Sequence, residues 1–277
     1  MSQNPETYGS SDLGKIERFT LAGRSLVVWV PARIEPTTPL LMVHDAQSYL
    51  LSKPETWNNQ NWGVPEAIEA GRIKPNQDGL LPIIASVHLI EVGKRGNELA
   101  PEDFVRAHPE AWNVSNPDIV PTTKELMANE SIDQIATKVV PALAEKFGLE
   151  LDTSRTAIAG SSMGGISSLY AIARHPEVYG TALSYSTHWP IGGELLVDWL
   201  TARLPHDGKH RVWLDCGTIE LDAAYPPFHN RAVAALRARG FVENQEFVGK
   251  IFEGTGHNEN WWAQRVELPI NWWLGAR

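Results

Sequence analysis

The stretch Arg155-Thr156-Ala157-Ile158-Ala159-Gly160-Ser161-Ser162-Met163-Gly164-Gly165-Ile166-Ser167-Ser168-Leu169-Tyr170 reads as a short apolar strand, a sharp turn and a helix. Ser162 stands at the turn, with Gly160 and Gly164 two residues to either side. That G-x-S-x-G spacing is the one a nucleophile elbow requires: the serine backbone is strained, and strand and helix come too close for side chains at the flanking positions. Centring the motif on Ser161 would need glycines where Ala159 and Met163 stand, so the frame selects Ser162. Beyond the turn, Ile166, Leu169, Tyr170 and Ala173 recur at helical spacing, and the helix should end at His175-Pro176.

Outward from this unit, strand and helix patterns alternate. Leu40-Leu41-Met42-Val43 is a continuous apolar run, as expected of a strand buried on both faces. Further strands are expected at 81–87, 181–186, 212–216 and 247–252. Helices are expected at 64–71, at 131–147 with a kink at Pro141, at 195–204, at 228–239 and in the Trp-rich tail 261–274. This order selects an α/β fold: a mostly parallel central sheet with helices on both faces. Residues 17–20 and 26–30 flank Ala22-Gly23-Arg24-Ser25 and should add an antiparallel hairpin at one edge. Residues 1–16 lack periodicity and read as a loosely held arm, leaving 17–277 as one domain. The segment 91–123, rich in proline, is expected to be irregular and to cross the top of the sheet as part of a pocket.

Composition narrows the class of partner. A net charge of -9 and a pI near 5.5 disfavour nucleic acid or an anionic membrane, since both reward clustered Lys and Arg. No secretory signal or membrane-spanning run is evident, so a cytoplasmic protein is the expectation. Cys216, the single cysteine, lies in the apolar run Val212-Trp213-Leu214-Asp215-Cys216 and reads as a buried thiol. His206 and His210 stand four apart, but Asp207-Gly208-Lys209 between them reads as a polar turn, and no zinc motif is present.

A serine hydroxyl needs a neighbouring base, and the base needs an orienting group. In sheets of this kind ligands bind at the carboxyl ends of strands, where the chain order is serine, acid, histidine. His257, in the loop Gly254-Thr255-Gly256-His257 after the last strand, fits the base. The acid lies in Gly217-Thr218-Ile219-Glu220-Leu221-Asp222, where either Glu220 or Asp222 could reach an imidazole; Asp222 is favoured because Pro226 and Pro227 stiffen the turn that follows. Two donors must meet the oxyanion: the N–H of Met163, and that of Ala46 or Gln47 after the first buried strand. His44 and Asp45 should brace that loop, with Asp45 bordering the pocket. Trp57, Trp62, Trp112, Trp189, Trp261 and Trp262 are the aromatic candidates for the pocket wall, whereas Trp272 and Trp273 read as core.

Together His44-Asp45-Ala46-Gln47, the elbow Gly160-Ser161-Ser162-Met163-Gly164-Gly165 and Gly256-His257-Asn258-Glu259 resemble the esterase D and enterochelin esterase-like branch of the α/β-hydrolases. Feruloyl esterases and mycolyltransferases belong to the same branch, and the likeness runs from about residue 17 to the end. It implies ester hydrolysis through an acyl-serine intermediate with no metal or organic cofactor. It also implies a small-molecule ester substrate of aryl, acyl-sugar or siderophore type. Within the branch, Leu221-Asp222-Ala223-Ala224-Tyr225 matches a subset whose acid is Asp222, while the more general pattern points to Glu220. Acyl transfer to a sugar or other alcohol is the alternative that the mycolyltransferase likeness allows. A non-catalytic binding protein on the same fold would show a degraded elbow or a missing base, and neither is seen.

Overall fold

The computed structural model describes residues 6–44, 47–51, 59–112 and 125–275. Among these residues nine strands form one sheet: β1 (Glu6–Ser11), β2 (Gly14–Leu21), β3 (Arg24–Pro31), β4 (Leu40–His44), β5 (Ile83–Val87), β6 (Thr156–Ser161), β7 (Thr181–Tyr185), β8 (Arg211–Cys216) and β9 (Phe247–Ile251). Their order is β1-β2-β3-β5-β4-β6-β7-β8-β9. The pairings from β1 to β5 are antiparallel and those from β5 to β9 are parallel. From β4 the chain first adds β5 on one side and then crosses back to add β6 on the other. That reversal opens a crevice at the carboxyl ends of β4 and β6, the natural place for a ligand in a sheet wound this way.

The alternation of side chains explains the two-sided core. Leu40 and Met42 enter a cluster on one face with Ile158, Ile166, Leu169, Leu143 and Leu196, while Leu41 and Val43 enter the other with Ala157, Val64, Ile68, Trp262 and Ile270. Helices Val140–Phe147, Met163–Arg174, Gly193–Thr201 and Pro226–Ala238 cover the first face. Helices Val64–Glu69, Glu259–Trp262 and Glu267–Gly275 cover the second. Trp273 is buried in that second cluster, and Trp272 lies at its margin with the Arg211 guanidinium stacked 3.8 Å from its ring centre. Cys216 is buried, and burial raises its thiol pKa.

Three expectations are corrected. The arm is instead an edge strand: Glu6 to Ser11 pair with β2 through a register shift between Thr7 and Gly9. The hairpin that follows turns on Ala22 and Gly23, both at positive φ, as a tight two-residue connection demands. Second, the segment after β5 is not irregular throughout, since Arg95–Leu99 and Glu102–Ala107 are short helices. A buried ion pair pins the first of them, with Arg24 donating to Glu98 at 2.6 Å and both holding the Ser131 hydroxyl. Third, the helix around Pro141 accommodates the proline with a π-turn at Ile135–Val139 before Val140–Phe147 begins.

Candidate active site

The elbow has the geometry its sequence demands. Ser162 has φ 57° and ψ -122°, a left-handed-side conformation that L-residues rarely adopt, between the end of β6 and helix Met163–Arg174. Its N–H donates to Tyr185 O at 2.9 Å and its carbonyl accepts from His188 N–H at 3.3 Å, so the strained turn is tied to the end of β7. A Cβ on Gly160 would lie 2.5 Å from the Gly164 carbonyl group, and one on Gly165 would lie 2.4 Å from Ser184 Oγ. A Cβ on Gly164 would meet nothing nearer than His44 O at 3.4 Å. The tight crossing therefore rests on Gly160 and Gly165, with Gly164 the less crowded glycine.

That contact also brings the end of β4 against the first turn of the elbow helix, where first-turn N–H groups have no helical acceptor. Met163 opens that helix. Of the two candidates for the second oxyanion donor, Ala46 lies outside the described residues, as does the pocket candidate Asp45, and Gln47 starts the short helix Gln47–Leu50. His44 is buried, 3.5 Å from Ser167 Oγ, and burial reinforced by the Arg24 charge lowers its pKa to about 3. It is neutral and packs against the elbow helix.

The two loops carrying Asp222 and His257 are laced together, largely by backbone. Thr218 and Ile219 N–H donate to Thr255 O at 2.9 and 3.1 Å, and Gly254 N–H donates to Thr218 Oγ1 at 2.8 Å. A Cβ on Gly217 would lie 2.0 Å from Thr255 O, so only glycine permits this approach. Asn258 then caps helix Glu259–Trp262 with its side chain, ending the His257 loop abruptly.

Of the two acid candidates, Asp222 meets the histidine: its Oδ1 lies 2.6 Å from His257 Nδ1. Asp222 is wholly buried, and its Oδ2 accepts from Ser186 Oγ at 2.6 Å and Gly217 N–H at 2.7 Å. Burial works to raise its pKa, but the hydrogen bond and charge of His257 and the donors on Oδ2 outweigh burial and hold the carboxyl below its usual range. Glu220 sits outside, at φ 55°, with long contacts to Asn258 Nδ2 (3.4 Å) and Trp261 Nε1 (3.5 Å). It braces the same loop without touching the imidazole.

His188 was not picked out by sequence, although it follows β7 directly at the carboxyl end where functional groups collect. Its ring lies 6.1 Å from that of His257, and its Nδ1 is hydrogen-bonded to the Tyr225 hydroxyl. Burial, with the nearby His257 and Arg95 charges, lowers its pKa to about 3 against the pull of Asp222. His188 is therefore a neutral, polar neighbour of His257.

The aromatic wall is partly corrected. Trp62 is 2 % exposed and fills space beneath the site, with its ring 4.8 Å from Tyr185 and 4.9 Å from Trp262. Trp189 is 1 % exposed and belongs to the opposite core face. Neither offers surface to a ligand. Trp112 is likewise buried, against Phe104. Trp57 lies outside the described residues. Trp262 packs edge-on to His257 at 5.1 Å, and Trp261 remains partly exposed beside Glu220.

Residues 100–266 match the family model described as Putative esterase. The endo-1,4-beta-xylanase/feruloyl esterase of Xylanibacter ruminicola is 28 % identical over 159 residues, covering 57 % of this chain and 19 % of that protein. The enterobactin esterase of Shigella flexneri superposes with a TM-score of 0.60 at 19 % identity, over 93 % of this chain and 59 % of that one. An S-formylglutathione hydrolase from Agrobacterium tumefaciens superposes with a TM-score of 0.61 at 14 % identity, covering 99 % of this chain and 100 % of the other. The chain thus spans about a fifth of the curated relative and about three fifths of the enterobactin esterase. At such identities the superpositions speak for an α/β-hydrolase-type fold.

Proposed function

The chain belongs to the Putative esterase family, and on that premise we propose that it hydrolyses carboxylic esters through an acyl intermediate on Ser162. His257 takes the Ser162 proton as the hydroxyl attacks the ester carbonyl, then returns it to the departing alkoxide. Asp222 holds the imidazole tautomer with the proton on Nδ1 and stabilises the imidazolium formed in each half-reaction. The N–H of Met163 and that of Ala46 or Gln47 receive the oxyanion. Water, activated by the same histidine, resolves the acyl enzyme. The observation that carries this reading is the 2.6 Å hydrogen bond from His257 to a buried carboxylate, in a loop laced to the acid loop and beside His188, whose backbone N–H donates to the carbonyl of the strained Ser162.

The substrate we propose is a small-molecule ester with an aryl, acyl-sugar or siderophore-like part, with Trp261 bordering its site. The names of the feruloyl and enterobactin esterases support that class. An acidic chain of net charge -9 favours neither nucleic acid nor an anionic membrane as partner. Among the described residues no helix is long and apolar enough to cross a membrane, which is compatible with the cytoplasmic location we propose.

A fluorophosphonate probe tests this chemistry, because it phosphonylates only a serine that is both activated and placed beside oxyanion donors. A single adduct on the tryptic peptide carrying Ser162 is expected, with ester turnover lost in step and unaffected by EDTA. Labelling elsewhere, or activity abolished by EDTA and restored by zinc, would contradict the reading.

A further inference from the structure

Ser186 sits at a crossing of hydrogen bonds that the proposed mechanism does not use. Its Oγ lies 2.6 Å from Asp222 Oδ2, 2.9 Å from Trp262 Nε1 and 2.9 Å from Arg265 Nη2. An indole N–H and a guanidinium can only donate, so both lone pairs of the hydroxyl are occupied. Its single proton is left one direction, toward Asp222. Arg265 is itself fixed: Nη2 also donates to Asp215 Oδ1 at 3.1 Å, and Nη1 lies 3.3 Å from Thr255 Oγ1 and 3.4 Å from Trp261 O. Asp215 in turn accepts from Ser186 N–H and Trp213 Nε1, each at 2.9 Å. Ser186, Asp215, Asp222 and Arg265 are all buried, with Arg265 2 % exposed. Ser186 has φ 40°, a conformation that this set of bonds holds.

We infer that Ser186 and Arg265 are positioning residues for the esterase reaction: Arg265 and Trp262 polarise and aim the Ser186 hydroxyl, which with Gly217 N–H clamps Asp222 Oδ2 and leaves Oδ1 directed at His257. This rests on the assignment of Asp222 and His257 made above. The physical reason is that one carboxylate in a dry core must be both ionised and oriented. Two donors on the far oxygen meet both needs, since they satisfy its lone pairs and prevent rotation about the Cβ–Cγ bond. Arg265 adds a reach of its own, because its contacts to Thr255 and Trp261 bracket the His257 loop. Its charge is balanced by Asp215, so the Asp222 carboxylate need not pair with it directly and stays available to the imidazole.

Ser186→Ala is the informative substitution, because removing Arg265 would strand the Asp215 carboxylate in the core and confound activity with folding. On p-nitrophenyl acetate, Ser186→Ala should lower kcat about tenfold or more, with KM within about twofold, as expected for loss of a hydrogen bond to a charged group that acts in the transition state. Placed in an Asp222→Asn background, the same change should lower kcat by less than about twofold, since Ser186 acts through Asp222. If Ser186→Ala lowers the unfolding midpoint below the assay temperature, Ser186→Cys, which fills the space and weakens only the donor, takes its place in the cycle. A normal kcat in Ser186→Ala beside a slow Asp222→Asn enzyme would overturn the inference and leave the triad standing. An equal loss in both backgrounds would also overturn it. A near-normal Asp222→Asn enzyme would overturn both.

Discussion

Ser162→Ala is expected to lower kcat/KM on p-nitrophenyl acetate by at least about 10⁴-fold, because the other members of a triad act only through the nucleophile's hydroxyl. Folding should be almost unaffected. The Ser162 side chain does not cap helix Met163–Arg174, so no helical donor is orphaned by its loss. The positive φ at this position is no harder for alanine than for serine, and the backbone bonds to Tyr185 O and from His188 N–H do not involve the side chain. The unfolding midpoint, followed by circular dichroism, should therefore move little while turnover disappears. Ser161→Ala, one residue earlier on β6, should retain activity within a few-fold. If Ser161→Ala were the inactive variant and Ser162→Ala turned over normally, the elbow frame would be wrong.

The acid should separate as sharply. Asp222 accepts three donors on two oxygens, from His257, Ser186 and Gly217. Asparagine offers one acceptor oxygen and an amino group. However it is turned, it confronts a donor with a donor or forces the imidazole into the tautomer that cannot take the serine proton. Asp222→Asn should accordingly reduce kcat by roughly 10²- to 10⁴-fold. Among the described residues Glu220 is held by contacts of 3.4 and 3.5 Å, which an amide can keep in part, so Glu220→Gln should stay within about tenfold. Measured side by side on one activated ester, a near-normal Asp222→Asn with a crippled Glu220→Gln would transfer the orienting role to Glu220.

What was readable from sequence follows the range of the interactions. The elbow was legible because its signature is local, Gly160 and Gly164 around Ser162, although of those two only Gly160 leaves no room for a Cβ and the other crowded glycine is Gly165, outside the motif. The parallel strands were legible because burial on both faces leaves continuous apolar runs such as Leu40 to Val43. Strand β1 was not, since Glu6–Ser11 forms an edge held by backbone pairing and carries no apolar alternation. Nor were the helices after β5, which are too short for a periodic signal, the first of them pinned by an Arg24–Glu98 pair 74 residues apart. Ser186 and Arg265 are 79 residues apart, and nothing near either in the chain announces the other. Trp62 and Trp189 are core, and a tryptophan between regular elements has the same local signature whether it fills the core or faces a ligand.

The central claim is the acyl-Ser162 intermediate, and it is tested most directly by quenching the enzyme in acid during turnover of p-nitrophenyl trimethylacetate, whose bulky acyl group slows hydrolysis of the acyl enzyme. Peptide mapping by mass spectrometry should find one trimethylacetyl group, on Ser162, formed in step with the burst of p-nitrophenol. An acyl group on any other side chain, or a full burst with the Ser162 peptide unmodified, would contradict the account.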